Sequence, residues 1–251
     1  MMTQRKPTLG RKELKIWAFL FTALFVLSKA LYRGAFQGAG DAALETILGS
    51  TPGMMHLAAV ILILEAVSAC GVLLYAAMLL QGMEKTGSRT NYMIRVGLLA
   101  VISEIPYDLL NTGKAVDAAV QNPIFGLLIC QVMILFWNQH SGRKLKSLLI
   151  RIFVLAAAAA WCFMLRVDFG LPLLLCTAIL WLFRENPSRR GFGGMLAGAL
   201  CILLSPFFLA SPMAALLLHF YNGEDWNGNN RMCYLAFPVL LILGWGLTFL
   251  M

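Results

Sequence analysis

From Ile16 onwards the chain is a succession of apolar runs separated by short polar loops. About 20 mostly apolar residues are enough to cross the hydrocarbon core of a bilayer as a helix. In lipid every backbone N–H and C=O of such a run must be satisfied within the protein. The fold class is therefore an all-α, polytopic integral membrane helical bundle. Composition agrees, with 60% hydrophobic and only 13% charged residues and a mean hydropathy of +0.77, where soluble domains run near ~25% charged.

The net charge of +8 excludes little by its size but much by its placement. Basic residues sit between apolar runs and not on one soluble face, so they point to a membrane surface and not to nucleic acid. Cys70, Cys130, Cys162, Cys176 and Cys201 lie inside apolar runs, Cys233 opens the last one, and no CxxC pair occurs. Neither a disulfide framework nor a metal site is expected. The first run lacks a small-residue cleavage site, so it is expected to be a retained helix.

The polar segment 1–15 precedes spans expected at 16–32, 54–80, 92–110, 124–137, 147–165 and 171–183, and a last one at 232–251. Between the last two lies the run Phe192–Phe220, too long for one straight span and interrupted by Ser205-Pro206 and Ser211-Pro212. It is either one helix broken at its prolines or a span followed by a re-entrant piece. Counted once, it makes about eight transmembrane helices with a Pro-broken seventh. Basic residues concentrate at the N-terminus and near positions 85, 145 and 188, acids in the alternate loops. The positive-inside rule then predicts both termini in the cytoplasm.

The third run, RVGLLAVISEIPYDLL (Arg95–Leu110), carries Glu104 and Asp108 with Pro106 between them. Four residues apart on a helix, the two carboxylates share a face. Ionisable groups in a span face the protein interior or a watery cavity, and the proline predicts a kink or an end nearby. At about 1.5 Å per residue, Lys29, Glu65, Glu104, Asp108, Asn122, Asp168, His219, Tyr221 and Asn222 are expected in one layer towards the outer side. Arg89 and Arg95 are expected on the cytoplasmic side. Lys29 and Glu104 share a depth, which predicts a buried ion pair. Asp108 is expected as a solvated or capping residue, while turn chemistry beside Pro123 and Gly223 accounts equally for Asn122 and Asn222.

SEIPYD (Ser103–Asp108), preceded by Arg95, resembles the RLxxFAxISExPFD signature of the TraX family of bacterial membrane proteins. In the same order, QGMEKTGSRTNYMIR resembles the family's approach to that helix, and QNPIF (Gln121–Phe125) the opening of its next span. VDFG (Val167–Gly170) resembles its DYG turn; YNGED and CYLAFP (Cys233–Pro238) resemble its C-terminal motifs. The resemblance implies acetylation of a protein amino terminus, or more broadly acyl transfer across a bacterial cytoplasmic membrane. Acetyl-CoA would be the cytoplasmic donor, and a surface protein or glycan the outer acceptor. If the chain is such an acyltransferase, its outer polar layer supplies Glu104, Asp108, Lys29 and His219 as catalytic candidates and Glu65, Asn122, Asp168, Tyr221 and Asn222 as acceptor contacts. Arg89 and Arg95 would meet the donor phosphates.

The chain departs from the family at its histidines, with Ser28-Lys29 in place of an Asp-His pair, Glu84-Lys85-Thr86 in the HTR region and Leu240 at the PLH position. A base must then come from elsewhere, or the chain serves as a non-catalytic assembly protein. A small-solute transporter would also place ionisable groups at mid-depth, but its usual internal repeat is not evident.

Overall fold

The computed structural model describes residues 9–36, 52–142, 144–186, 189–221 and 231–250. In chain order the helices are α1 (Arg11–Phe36), α2 (Pro52–Ser68), α3 (Cys70–Lys85), α4 (Arg89–Asn111) and α5 (Pro123–Gln139). Next come α6 (Leu145–Met164), α7 (Gly170–Leu182), α8 (Arg190–Leu204), a 3-10 turn at Pro206–Ala210, α9 (Ser211–His219) and α10 (Arg231–Leu247). Extended pairing among the described residues is confined to two isolated bridges, Leu9 with Tyr221 and Gln121 with Val167.

Burial orders the helices. On α7 almost every residue from Pro172 to Trp181 is buried, and α3 is buried along most of its length. A helix apolar all round belongs inside, and these two form the axis of the bundle. At the rim, α6 buries only Ala158 and Cys162 and presents Leu149, Phe153 and Phe163 outwards, as a lipid-facing helix would. Three stretches, Arg11–Phe36, Gly53–Lys85 and Leu145–Met164, are long and apolar enough to cross a membrane by length and composition. Among the described residues five further apolar helices are shorter.

One end of the bundle is basic and aromatic. There Trp181 donates to Asn138 Oδ1 (3.0 Å) and Trp137 to the Arg151 carbonyl (3.1 Å). The guanidinium of Arg184 lies 3.7 Å from the centre of the Trp181 ring, and Arg190 lies 5.5 Å over Tyr221. Cations stacked on indole at a bundle end suit a membrane interface. At the opposite end Arg33 Nη1 donates to the carbonyls of Leu109 and Leu110, tying the last turn of α1 to that of α4.

The run 192–220 is not one continuous helix: of the two forms expected of it, the structure has a helix followed by a returning piece. Ser205 is extended (φ −161°, ψ 136°), as the residue before a proline prefers, and its hydroxyl caps the 3-10 turn by accepting from Phe207 N. Ser211 and Pro212 then start α9, which returns antiparallel to α8. Close approach is possible because Gly198 faces the backbone of Pro212: a Cβ there would lie 2.7 Å from the proline nitrogen. Gly194 and Gly198 form the small-xxx-small spacing that lets membrane helices pack closely.

Two antiparallel helices stand where one was counted, and the direction of the chain downstream changes. Leu9 N donates to the Phe220 carbonyl (3.0 Å) and Tyr221 OH to Gln81 Oε1 (3.1 Å), so Tyr221 sits at the basic end beside the start of α1. From there α10 runs to the other end, where a Cβ on Gly244 would lie 3.5 Å from the Leu110 side chain. The described chain therefore begins and finishes at opposite ends of the bundle. These ends do not lie together as the loop charges suggested.

Candidate functional site

The site is built on α4. Ser88 caps this helix by accepting from Asn91 N (3.3 Å). Pro106 does not end it: the helix continues to Asn111. Its outward face carries Val101, Ile102 and Ile105, all more than half exposed, while Ala100, Ser103, Tyr107 and Asp108 are buried. Apolar side chains turned to lipid and polar ones turned inward fix the rotation of α4, so Glu104 and Asp108 face protein as their spacing required.

Asn122, fully buried, joins α4 to α5. Its Oδ1 accepts from Ile124 N (2.9 Å), capping α5 ahead of Pro123. Its Nδ2 donates to the Ala100 carbonyl (2.8 Å) and to Glu104 Oε2, and its backbone N donates to the same oxygen (3.2 Å). Turn chemistry and site chemistry thus coincide in one residue. The second oxygen of this carboxyl group, Glu104 Oε1, is buried without a hydrogen-bond partner.

The turn before α7 completes the layer. Gln121 N donates to the Arg166 carbonyl (3.1 Å), and Asp168 N donates to the Gln121 carbonyl (2.9 Å). This short zipper holds Arg166 and Phe169 at φ of 50° and 54°, a left-handed conformation that costs about 1–2 kcal/mol per non-glycine residue. The bend directs Asp168 onto α4, where its Oδ2 accepts from Tyr107 OH at 2.5 Å. Tyr107, 1% exposed, was missed as a site residue. Its position three residues after Glu104, on the same helical face, was the available signal.

Asp108 differs from the expected solvated residue. It is 2% exposed, and its Oδ2 accepts from Asp117 N (2.8 Å) while its carbonyl accepts from Thr112 N (2.8 Å). It anchors the 112–121 connection that carries Gln121 and Asn122 into place. The ion pair also differs. Lys29 Nζ lies 3.7 Å from Glu65 Oε1, both side chains about a quarter exposed, whereas Glu104 is held by Asn122. Lys29 rests 5.5 Å over the Phe25 ring, and Phe25 meets Phe169 edge-on at 5.4 Å. Lys29 and Glu65 are thus linked to the Asp168 turn through two aromatic rings and not directly.

His219 and Tyr221 belong to the other end of the molecule. A Cβ on Gly191, at the start of α8, would lie 2.8 Å from His219 Cβ, and His219 is exposed. The reversal at Ser205–Pro212 carries both residues away from Glu104. Asn222 lies outside the described residues. Arg89 and Arg95 are exposed on the first turns of α4, with Arg95 Nε donating to the Asn91 carbonyl (3.1 Å).

The arrangement is a half-buried glutamate held at one carboxyl oxygen and unpartnered at the other, beside a Tyr–Asp pair, at the end of the bundle away from Arg89 and Arg95. It can accept or hand on a proton in a site shielded from bulk water. A family model described as TraX protein matches residues 54–248, which include this whole layer but not α1 and Lys29. No curated protein and no solved structure matches the chain.

Proposed function

The chain belongs to the TraX family, and on that premise we propose that it is a membrane-embedded acyltransferase. In this reading it moves an acyl group from cytoplasmic acyl-CoA to a protein or glycan acceptor outside the bacterial cytoplasmic membrane. The observation that carries the reading is the Glu104 carboxyl group, fixed through Oε2 by Asn122 with Oε1 buried and unpartnered. Acyl transfer replaces the donor's C–S bond with a C–N or C–O bond. The acceptor's proton must leave and the departing thiolate must gain one. Glu104 Oε1 takes the first proton and supplies the second, acting as general base and then general acid. Asn122 positions it, and Tyr107, whose one hydroxyl proton is donated to Asp168, braces the same face of α4 as a positioning residue. Asp108 is a positioning residue that fixes the connection bearing Asn122.

The donor's phosphates meet Arg89 and Arg95, which are exposed at the basic end and suit bidentate phosphate contacts. Lys29 and Glu65 lie on the acceptor side of the layer. The missing family histidines and the displaced His219 favour the alternative of a non-catalytic assembly protein. The test is calorimetry with acetyl-CoA, followed by mass spectrometry of surface proteins and glycans. Arg89→Ala and Arg95→Ala are expected to weaken donor binding, and Glu104→Gln to abolish transfer while sparing binding. Well-folded protein that binds no acyl-CoA overturns the acyltransferase reading in favour of assembly.

A further inference from the structure

A groove of about 550 Å³ runs between α1, α3, α4, α5 and α10. Its mouth, at the basic end, is formed by Arg11, Lys12 and Lys15 on the first turns of α1. The walls above are apolar, with Phe21, Val72, Val96 and Leu99 among them, and the far end closes on Phe25 and Phe169. From Arg11 to Phe25 the helix rises about 21 Å, roughly two thirds of a ~30 Å hydrocarbon core. The groove also opens sideways: Ile16 and Phe19 line it and are 48% and 43% exposed.

The polar atoms partway along it favour a hydrocarbon guest. Thr22 Oγ1 lies 2.9 Å from the Ala18 carbonyl and 2.6 Å from Tyr75 OH, so it donates to the first and accepts from the second. An amide-bearing arm, such as the one that carries the thioester of acyl-CoA, would lose hydrogen bonds to water here and leave its polar groups poorly matched. A methylene chain loses nothing of that kind and gains about 0.8 kcal/mol per buried CH₂.

We propose that this groove seats an acyl chain of an anionic phospholipid from the leaflet at the basic end, with the phosphate against Arg11, Lys12 and Lys15. The chain slides in from the bilayer past Ile16 and Phe19, and the three cations select a net negative headgroup over a zwitterionic one. The site is independent of acyl transfer: it concerns the face of α1 below the Glu104 layer.

The test is native mass spectrometry of the full chain in detergent, offered phosphatidylglycerol and phosphatidylcholine with identical acyl chains. The expected result is preferential retention of phosphatidylglycerol. Lys12→Gln and Lys15→Gln should each lower that preference about fivefold, equivalent to about 1 kcal/mol per basic side chain near a membrane surface. Lys12 is exposed, so its replacement leaves the fold intact. Leu99→Trp, which fills the groove, should remove retention of both lipids. Equal retention of the two lipids, indifference to Lys12→Gln or unchanged retention in Leu99→Trp would overturn the proposal. One-for-one displacement of the lipid by acyl-CoA would overturn it too, making the groove a donor path and leaving acyl transfer standing. Lipid retention without any acyl-CoA binding would support the groove site while removing the acyltransferase reading.

Discussion

Asn122→Ala tests the keystone of the candidate site. The side chain makes three hydrogen bonds, to Ile124 N, the Ala100 carbonyl and Glu104 Oε2, and alanine removes all of them from a fully buried position. Loss of the cap on α5 costs about 1 kcal/mol. Interhelical hydrogen bonds within a membrane average only ~0.6 kcal/mol and reach ~1.7. Taking the average for Ala100 and the upper figure for the carboxyl contact gives a total of about 3 kcal/mol. Asn122→Ser should recover the capping part alone. Asn122→Asp should recover less, because it sets a second carboxyl group against Glu104. The assay is equilibrium unfolding in mixed detergent micelles, combined with Glu104→Gln in a double-mutant cycle. A coupling of about 1–2 kcal/mol is expected for residues in one hydrogen-bond network. A loss below about 1 kcal/mol, or purely additive effects, would refute the claim that Asn122 holds Glu104.

Three further expectations concern topology and packing. Cysteine labelling should find Ser141→Cys and His219→Cys on one side of the membrane and Leu250→Cys on the other; labels on His219 and Leu250 from a common side would contradict the α8–α9 hairpin. Gly198→Leu, which drives a side chain into the Pro212 backbone, should cost about 1–3 kcal/mol or more. Gly246→Leu, with open space around it, should stay within about 0.5 kcal/mol by the same unfolding assay. Lys29→Met should cost about 0.5–1 kcal/mol, since its ion pair is partly exposed, and should couple to Glu65→Gln and not to Glu104→Gln; the opposite pattern would restore the pairing inferred from depth alone.

What the sequence determined by itself is the helical membrane class, the approximate positions of most helices and the face on which Glu104 and Asp108 lie. These are local consequences. A run of apolar residues must satisfy its own backbone in lipid, and residues four apart must share a helix face whatever surrounds them. Asn122 was legible for a similar reason: an asparagine before Pro123 is a capping signal, and the cap set its backbone where Glu104 could use it. The family motifs likewise contained Tyr107 and Asp168, although only the fold joins their side chains.

Tertiary structure decided the rest, because depth along a helix does not specify lateral neighbours. Lys29 and Glu104 share a depth, yet the packing of α2 against α1 gives Lys29 to Glu65. Pro106 is tolerated inside α4, whereas Pro206 reverses the chain. The residues flanking Pro206 make the difference: Ser205 goes extended and caps a new turn, and Gly194 and Gly198 leave room for α9 to lie against α8. That return moves His219 and Tyr221 from the layer of Glu104 to the basic end and reverses the direction of α10. Loop charges could not reveal it, since YNGEDWNGNNR carries two acids and one arginine and exerts only a weak topological bias. A close contact between glycine and proline backbones, and not the charge of the loop after α9, sets the topology of the last third of the molecule.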